Sequence, residues 1–323
     1  MGKRKICKIV FVILSIFLCV AFYELFGICI AYKKQPEVSN TIKKETQNDS
    51  WNERSENMER AVIIEKNPEA LLQRVRLIRN AKEDIILSTF AFQSDESGKL
   101  ILGALHDAAD RGVHVRLLVD GMESWVDMEG NPYFYGLSSH ENVEIKLYNK
   151  ANPLKPWKMM GRMHDKYLIA DGKTYILGGR NTYNYFLGDF LGHKNYDRDV
   201  LVVCDEPEKE NSVNQLLEYF ETIWEQEDSG YFHDNKKLAN RKSVKNAVLE
   251  LQNGYQKYFE ENKERICDTD YTDETFETEK IALVSNPIHT GSKEPVVWYQ
   301  LGELMKNAKN RVKIHTPYII CND

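Results

Sequence analysis

A chain of 323 residues can hold one large domain or two modest ones, and 42% hydrophobic with 11% aromatic residues suits a packed body rather than a disordered one. The formal net charge of −6 argues against a general polyanion binder, because phosphate-backbone affinity needs a basic surface, and leaves at most a local basic site. The six cysteines show no C-x-x-C spacing and read as unpaired small hydrophobic side chains, with a Cys204–Cys267 bridge as the alternative.

Residues 1–8 form a basic tail with Lys3, Arg4, Lys5 and Lys8, and residues 9–32 form an apolar run whose one charge is Glu24. The run exceeds the ~20 residues that a helix needs to cross a bilayer. Basic residues are denser before it than after it, where Lys33 and Lys34 follow. The N-terminus is therefore expected in the cytoplasm and the body on the outer side of the cell membrane, as a single-pass protein. A cleaved signal peptide is the alternative; the run is long for one and no small-x-small cleavage site follows it. Glu24 is costly in lipid and is expected near the outer interface. Residues 33–58 are polar, lack apolar periodicity and read as a linker.

A folded domain is expected over residues 59–228. Leu71, Leu72, Val75 and Ile78 share one face of a helix from Pro68 to Ala81, and Asp84 to Phe90 reads as a buried strand. An amphipathic helix runs from Gly98 to Arg111, is stopped by Gly112, and leads into a strand from Val113 to Val119. A strand–helix–strand unit of this spacing implies a parallel pair with a crossover helix, hence an α/β sandwich. Val143 to Tyr148 gives a further strand. The stretch from Lys155 to Met160 mixes basic and bulky apolar groups; it either meets lipid headgroups at the mouth of a site or packs on its own domain. Residues 229–280 read as a helical and acidic connector with a solvated charged face. Residues 281–323 read as the incomplete start of a second copy of the fold. Ala81–Phe90 aligns there with Ala308–Pro317, each behind an amphipathic helix and each opening a strand, the second from Arg311 to Ile320.

Within the domain, Met163 to Ala170 reads as a strand, Asp171-Gly172 as a tight turn and Thr174 to Leu177 as the returning strand. Alternation along a strand would turn His164 and Lys166 to one face. Gly178-Gly179 lets backbone approach a ligand closely, and Asn181 brings an amide able to hold phosphate or the histidine. A neutral imidazole, available near pH 7 because its ordinary pKa is ~6.5, can attack phosphorus and divide one hard displacement into two through a phosphohistidine. Lys166 supplies positive charge where the phosphoryl oxygens gain negative charge. This chemistry requires no metal or other cofactor, and no Asp/Glu/His cluster in the sequence suggests one. Asp171 is a turn residue by its local pattern. Asp197 and Asp199, one strand period apart, either orient a site group or make caps and structural salt bridges.

The motif His164-x-Lys166-x4-Asp171, followed by Gly178-Gly179-Arg180-Asn181, resembles the signature of the phospholipase D superfamily. Ser94–Gly98, Ala108–Val113, Arg162–His164 and Tyr196–Leu201 agree with it. The resemblance is strongest to proteins of the bacterial cardiolipin synthase type, covering residues 60–225 well and 281–323 weakly. It implies an α/β fold, a phospholipase D-type sandwich in which a mixed β-sheet is flanked by helices, here with one N-terminal transmembrane helix. It also implies catalytic roles for His164, Lys166 and Asp171, the aspartate mainly supporting the histidine region, and phosphate binding at Gly179 and Asn181. The implied reaction moves a phosphatidyl group from a membrane phospholipid to an alcohol, or to water as hydrolysis. A nuclease-like phosphodiesterase is the enzymatic alternative, although the anchor and the acidic charge favour lipid, and no nucleic-acid partner is expected. A catalytically inactive, truncated remnant is the other reading. The family's chemistry uses two facing histidines. The offset between Ala81 and Ala308 is 227 residues, which would put the second near position ~391. The chain alone is therefore expected to be incompetent, its second half-site coming from a partner chain or a missing C-terminal half.

Overall fold

The computed structural model describes residues 3–48, 59–207, 209–233 and 235–314. The apolar run lies in helix α1 (Lys3–Ala31), long and apolar enough to cross a membrane by length and composition, and α2 (Asn40–Asn48) follows. The body then proceeds as β1 (Arg60–Ile64), α3 (Asn67–Asn80), β2 (Asp84–Thr89), α4 (Glu96–Asp110), β3 (His114–Asp120), α5 (Gly121–Asp127) and α6 (Pro132–Ser138). Next come β4 (Val143–Tyr148), β5 (Lys166–Ala170), β6 (Thr174–Gly178), β7 (Asp199–Val203) and α7 (Ser212–Trp224). The remainder is β8 (Ser229–Tyr231), α8 (Lys242–Glu261), α9 (Lys263–Cys267), β9 (Phe276–Glu277) and α10 (Val296–Lys306).

The strands make one mixed sheet in the order β8-β4-β3-β2-β5-β6-β7-β1-β9. Strands β2, β3 and β4 are parallel, as the strand–helix–strand pattern requires, and the other neighbouring pairs are antiparallel. Local sequence explains the crossover. Asp95 caps α4 by accepting the Gly98 N–H, and Gly112 takes the left-handed φ of +92° that releases the chain into β3. Leu71, Val75 and Ile78 of α3 and Ile101, Leu105 and Ala108 of α4 bury against one face of the sheet. Val213, Leu216, Phe220 and Trp224 of α7 cover the other face over Ile86, Leu118, Tyr167 and Ile169. The result is helix, sheet and helix in three layers.

Several expectations need correction. Strand β5 starts at Lys166, so His164 stands before the strand and alternation does not set its direction. The Met163 N–H that a ladder would use is instead donated to the buried Asp120 carboxylate at 3.1 Å. The polar stretch 33–58 contains α2 within its described part, and residues 49–58 lie outside the described residues. Residues 229–280 are part of the body: β8 and β9 form the two outer strands, and α8 buries Val244, Ala247, Leu251, Tyr255 and Phe259. Gly103 of α4 makes the close helix approach possible, since a Cβ there would meet the Leu251 carbonyl of α8. Residues 281–295 adopt neither helix nor strand and lie across α7, where the Leu283 N–H donates to Gln215 Oε1 and the Gln226 amide to the Ile288 carbonyl. Residues 311–314 are in no strand, and the rest of the strand expected to Ile320 lies outside the described residues. Cys204 is buried, Cys267 is exposed, and no disulfide joins them.

Candidate active site

Because β5 runs antiparallel to β2, its first residue, Lys166, sits opposite Thr89 at the carboxyl end of β2. The carboxyl ends of β3 and β4 reach the same end of the sheet, as does the β6–β7 pair through Gly178 and Asp199. In open α/β sheets, crevices for ligands form beyond the carboxyl ends of the parallel strands. Here the crevice is a cleft of about 360 Å³, walled by Arg162, His164, Lys166 and Tyr219 and, from the 281–297 segment, Leu283 and Lys293.

Phe90, the residue after β2, organises the basic groups. The His164 ring meets it edge-on with 4.6 Å between centroids, and Arg162 Cζ and Lys166 Nζ lie 4.9 and 5.1 Å from its centroid. Such cation–ring contacts hold charge without neutralising it. Lys166 Nζ also donates to the His164 carbonyl at 2.7 Å. Asp120 anchors the approach to the histidine. Its Oδ1 accepts from Arg162 Nε at 2.8 Å and from the Met122 and Glu123 N–H groups that open α5, while Oδ2 takes the Met163 N–H.

Burial by the cleft walls, followed by the positive charge of Lys166, holds the His164 pKa below its ordinary value. Burial also pulls Lys166 down to about 8, opposed by Asp165, Asp197 and Asp120. Asp165 is pushed up by burial, although the Tyr219 hydroxyl donates to its Oδ2 at 2.8 Å. Lys293 is lowered by burial against the pull of Asp165 and Asp120, and its ammonium donates to the Arg162 carbonyl at 3.2 Å. A neutral imidazole among three basic side chains can attack an electrophilic centre that carries negative charge, which describes a phosphodiester.

His164 and Lys166 meet in the cleft together with Gly178. Gly179 and Asn181 do not line it. Gly179 lies against the Asp197 carboxylate, where a Cβ would overlap Oδ2, and Asn181 Oδ1 accepts the Ala91 N–H at 3.3 Å. Asn181 thus fixes the residue that follows Phe90. The placement of Asp171 contradicts a catalytic role. It is at the other end of β5, at φ +51°, and its carboxylate accepts the N–H groups of Lys82, Glu83 and Asp84 where β2 begins. Asp199 makes a structural ion pair: fully buried, it bridges Arg74 at 2.9 Å and Arg180 at 3.2 Å.

Sequence reasoning passed over Asp120, Phe90, Asp165, Tyr219 and Lys293. Asp120 had a signal, since it ends a parallel strand immediately before a glycine. Lys293 had none, because it reaches Arg162 across 131 residues of sequence.

Known proteins are similar to part of this chain. Residues 74–224 match the family described as cardiolipin synthase, phospholipase D-like domain. An uncharacterized protein of Helicobacter pylori (strain J99) is 29% identical over 211 residues, 61% of this chain and 39% of its own. Cardiolipin synthase C of Escherichia coli (strain K12) is 29% identical over 171 residues, 49% of this chain and 34% of its own. This chain therefore spans well under half the length of these relatives. The solved phosphatidylserine synthase of Haemophilus influenzae is 17% identical with a TM-score of 0.45, covering 68% of this chain and 48% of that one.

Proposed function

We infer that this chain, which belongs to the phospholipase D superfamily through residues 74–224, carries one half-site for phosphatidyl transfer between membrane phospholipids and an alcohol. With water as acceptor the same half-site performs hydrolysis. The observation that carries this reading is the grouping of His164, Lys166 and Arg162 around Phe90 in one cleft, with the imidazole biased to its neutral form. The similarity to cardiolipin synthase C and the apolar α1 favour a lipid over a nucleic-acid substrate.

In the first step an imidazole nitrogen of His164 forms a bond to phosphorus as the bond to the leaving alcohol oxygen breaks. That oxygen takes a proton from a second histidine, supplied by a second half-site in a partner chain or in further sequence. In the second step the acceptor hydroxyl returns its proton to that histidine and displaces His164 from phosphorus. Lys166 and Arg162 stabilise the charge on the non-bridging oxygens, where loss of one such donor costs about 2.7–4 kcal/mol.

The test incubates the full chain, together with a complementary half-site, with vesicles of radiolabelled phosphatidylglycerol. A denaturing quench at alkaline pH should trap a base-stable, acid-labile phosphoryl adduct that is missing in His164→Ala. Turnover without His164, or strict dependence on a divalent ion, would overturn the phosphohistidine route. Cleavage of single-stranded DNA with no conversion of lipid would favour the nuclease reading.

A further inference from the structure

The loop between β4 and Arg162 leads directly into the cleft. On it, Leu154, Trp157 and Met160 are 77%, 42% and 57% exposed, with Lys155 and Lys158 among them. Lys158 is held by Asp228 at 2.7 Å, whereas Lys155 is exposed. The base of the loop is fixed, since the Asn149 amide donates to the carbonyls of Lys158 and Gly161 at 2.7 and 2.9 Å.

This loop is fastened to α1 along its last turns. The Tyr23 hydroxyl donates to the Leu154 carbonyl at 2.8 Å, and Gly27 packs flat on Pro156, where any Cβ would overlap the proline ring. Beyond the helix, the Tyr32 hydroxyl donates to the Thr290 carbonyl at 3.0 Å. Glu24, three residues before Gly27 on the same face, keeps its Oε2 atom buried instead of presenting it to lipid.

The level of these contacts along α1 decides what surrounds the loop. Residues 9–23, between Lys8 and Glu24, make only about 22 Å of helix, short of the ~30 Å hydrocarbon core. A spanning α1 must therefore continue to about Ile28 or further, which places Tyr23 and Gly27 inside the bilayer. Measured from Tyr32, Gly27 is about 8 Å and Tyr23 about 14 Å deeper along the axis. The headgroup layer on one side is only about 5–7 Å thick.

We propose that residues 154–160 form a wedge inserted beside α1 into the leaflet on the body's side, with Leu154, Trp157 and Met160 among the acyl chains and Lys155 at the lipid phosphates. Its partner is the anionic bilayer surface itself. The wedge holds the mouth of the cleft at headgroup height, so a phosphodiester reaches His164 without its lipid leaving the membrane. This placement rests on the reading that α1 spans a membrane.

The test uses nitroxide labels on Leu154→Cys, Trp157→Cys, Phe17→Cys and Leu249→Cys, each in the full chain with its native cysteines replaced. The chain is reconstituted in vesicles of phosphatidylglycerol and phosphatidylethanolamine. Relaxation by oxygen against a water-soluble nickel chelate should place labels 154 and 157 about 5–10 Å below the phosphates, label 17 deeper still, and label 249, on the far helical layer, in water. If 154 and 157 are as open to the chelate as 249 while 17 is deep, the wedge is wrong and the span stands. If 17 is also in water, both fall.

Discussion

The ammonium of Lys166 folds back onto the carbonyl of His164 at 2.7 Å, so the cation and the proposed nucleophile of the site are carried as one unit. Its positive charge is also one reason the imidazole stays neutral to lower pH than usual. The kcat/KM profile, which reports the free enzyme, should be bell-shaped. The acid limb lies below ~6.5, since protonation of a lowered His164 removes the nucleophile. On the alkaline side, loss of the Lys166 proton near 8 adds to deprotonation of the second histidine that protonates the leaving oxygen. In Lys166→Ala about 2.7–4 kcal/mol of transition-state stabilisation should be lost, the alkaline limb should be left to the proton-donating second histidine alone, and the acid limb should move up. An acid limb that stays in place would break the link between the two residues.

Asp120 acts through its neighbours. In Asp120→Asn the oxygen that still caps α5 can also accept from Arg162, but the amide nitrogen meets the Met163 N–H donor to donor and the carboxylate charge beside Arg162 is gone. Losing that hydrogen bond and that charge should cost about 1–3 kcal/mol of stability. Steady-state kinetics on the folded protein should show kcat down by at least ~10-fold with KM little changed, as expected when the nucleophile is misplaced and substrate binding is intact. A fall confined to KM would point to direct substrate binding instead.

Asp171 should prove to be a stability residue. Asp171→Ala removes the acceptor for three backbone N–H groups and puts a Cβ-only side chain at φ +51°. Denaturant titration should show a loss of about 2–3 kcal/mol. Asp171→Asn, which tolerates the left-handed region and retains an acceptor, should recover part of it. The kcat of either variant, measured below its unfolding transition, should stay within ~3-fold of the parent.

Asp199 holds two guanidinium groups, Arg74 and Arg180, in a fully buried setting. Asp199→Ala leaves both without their carboxylate, and removing one member of a buried ion pair costs about 3–5 kcal/mol. The expected readout is a large drop in melting temperature together with a lower yield of folded protein. A variant as stable as the parent would mean that water enters this core.

Topology gives a further check. The excess of Lys and Arg before the apolar run predicts that protease added to intact spheroplasts cleaves beyond residue 33. Full protection, with cleavage only after lysis, would reverse the orientation.

The central sheet was legible where patterning is local and redundant. From α3 through β3, apolar periodicity and Gly112 point to the same elements and the structure follows them, with α4 beginning two residues earlier than expected, behind the Asp95 cap. His164 and Lys166 were legible because the motif is compact. The direction of His164 was not, because the N–H beside it goes to Asp120, whose identity as a partner is a tertiary fact. In α8 the exposed charges masked an apolar stripe that buries against α4 and α6. The 281–297 wall of the cleft carries no periodicity, so nothing in its sequence marks where it lies.

The pairing of β1 with β9 joins Arg60 to Glu277, 217 positions apart. Contacts so distant form late, because the loop between them must first be closed. On a ribosome, α1 has emerged long before the residue that seals the first strand has been synthesised. With α1 held in a membrane, as proposed above, the body is tethered while it is still an open sheet, and its last edge closes on a chain that already has a fixed address.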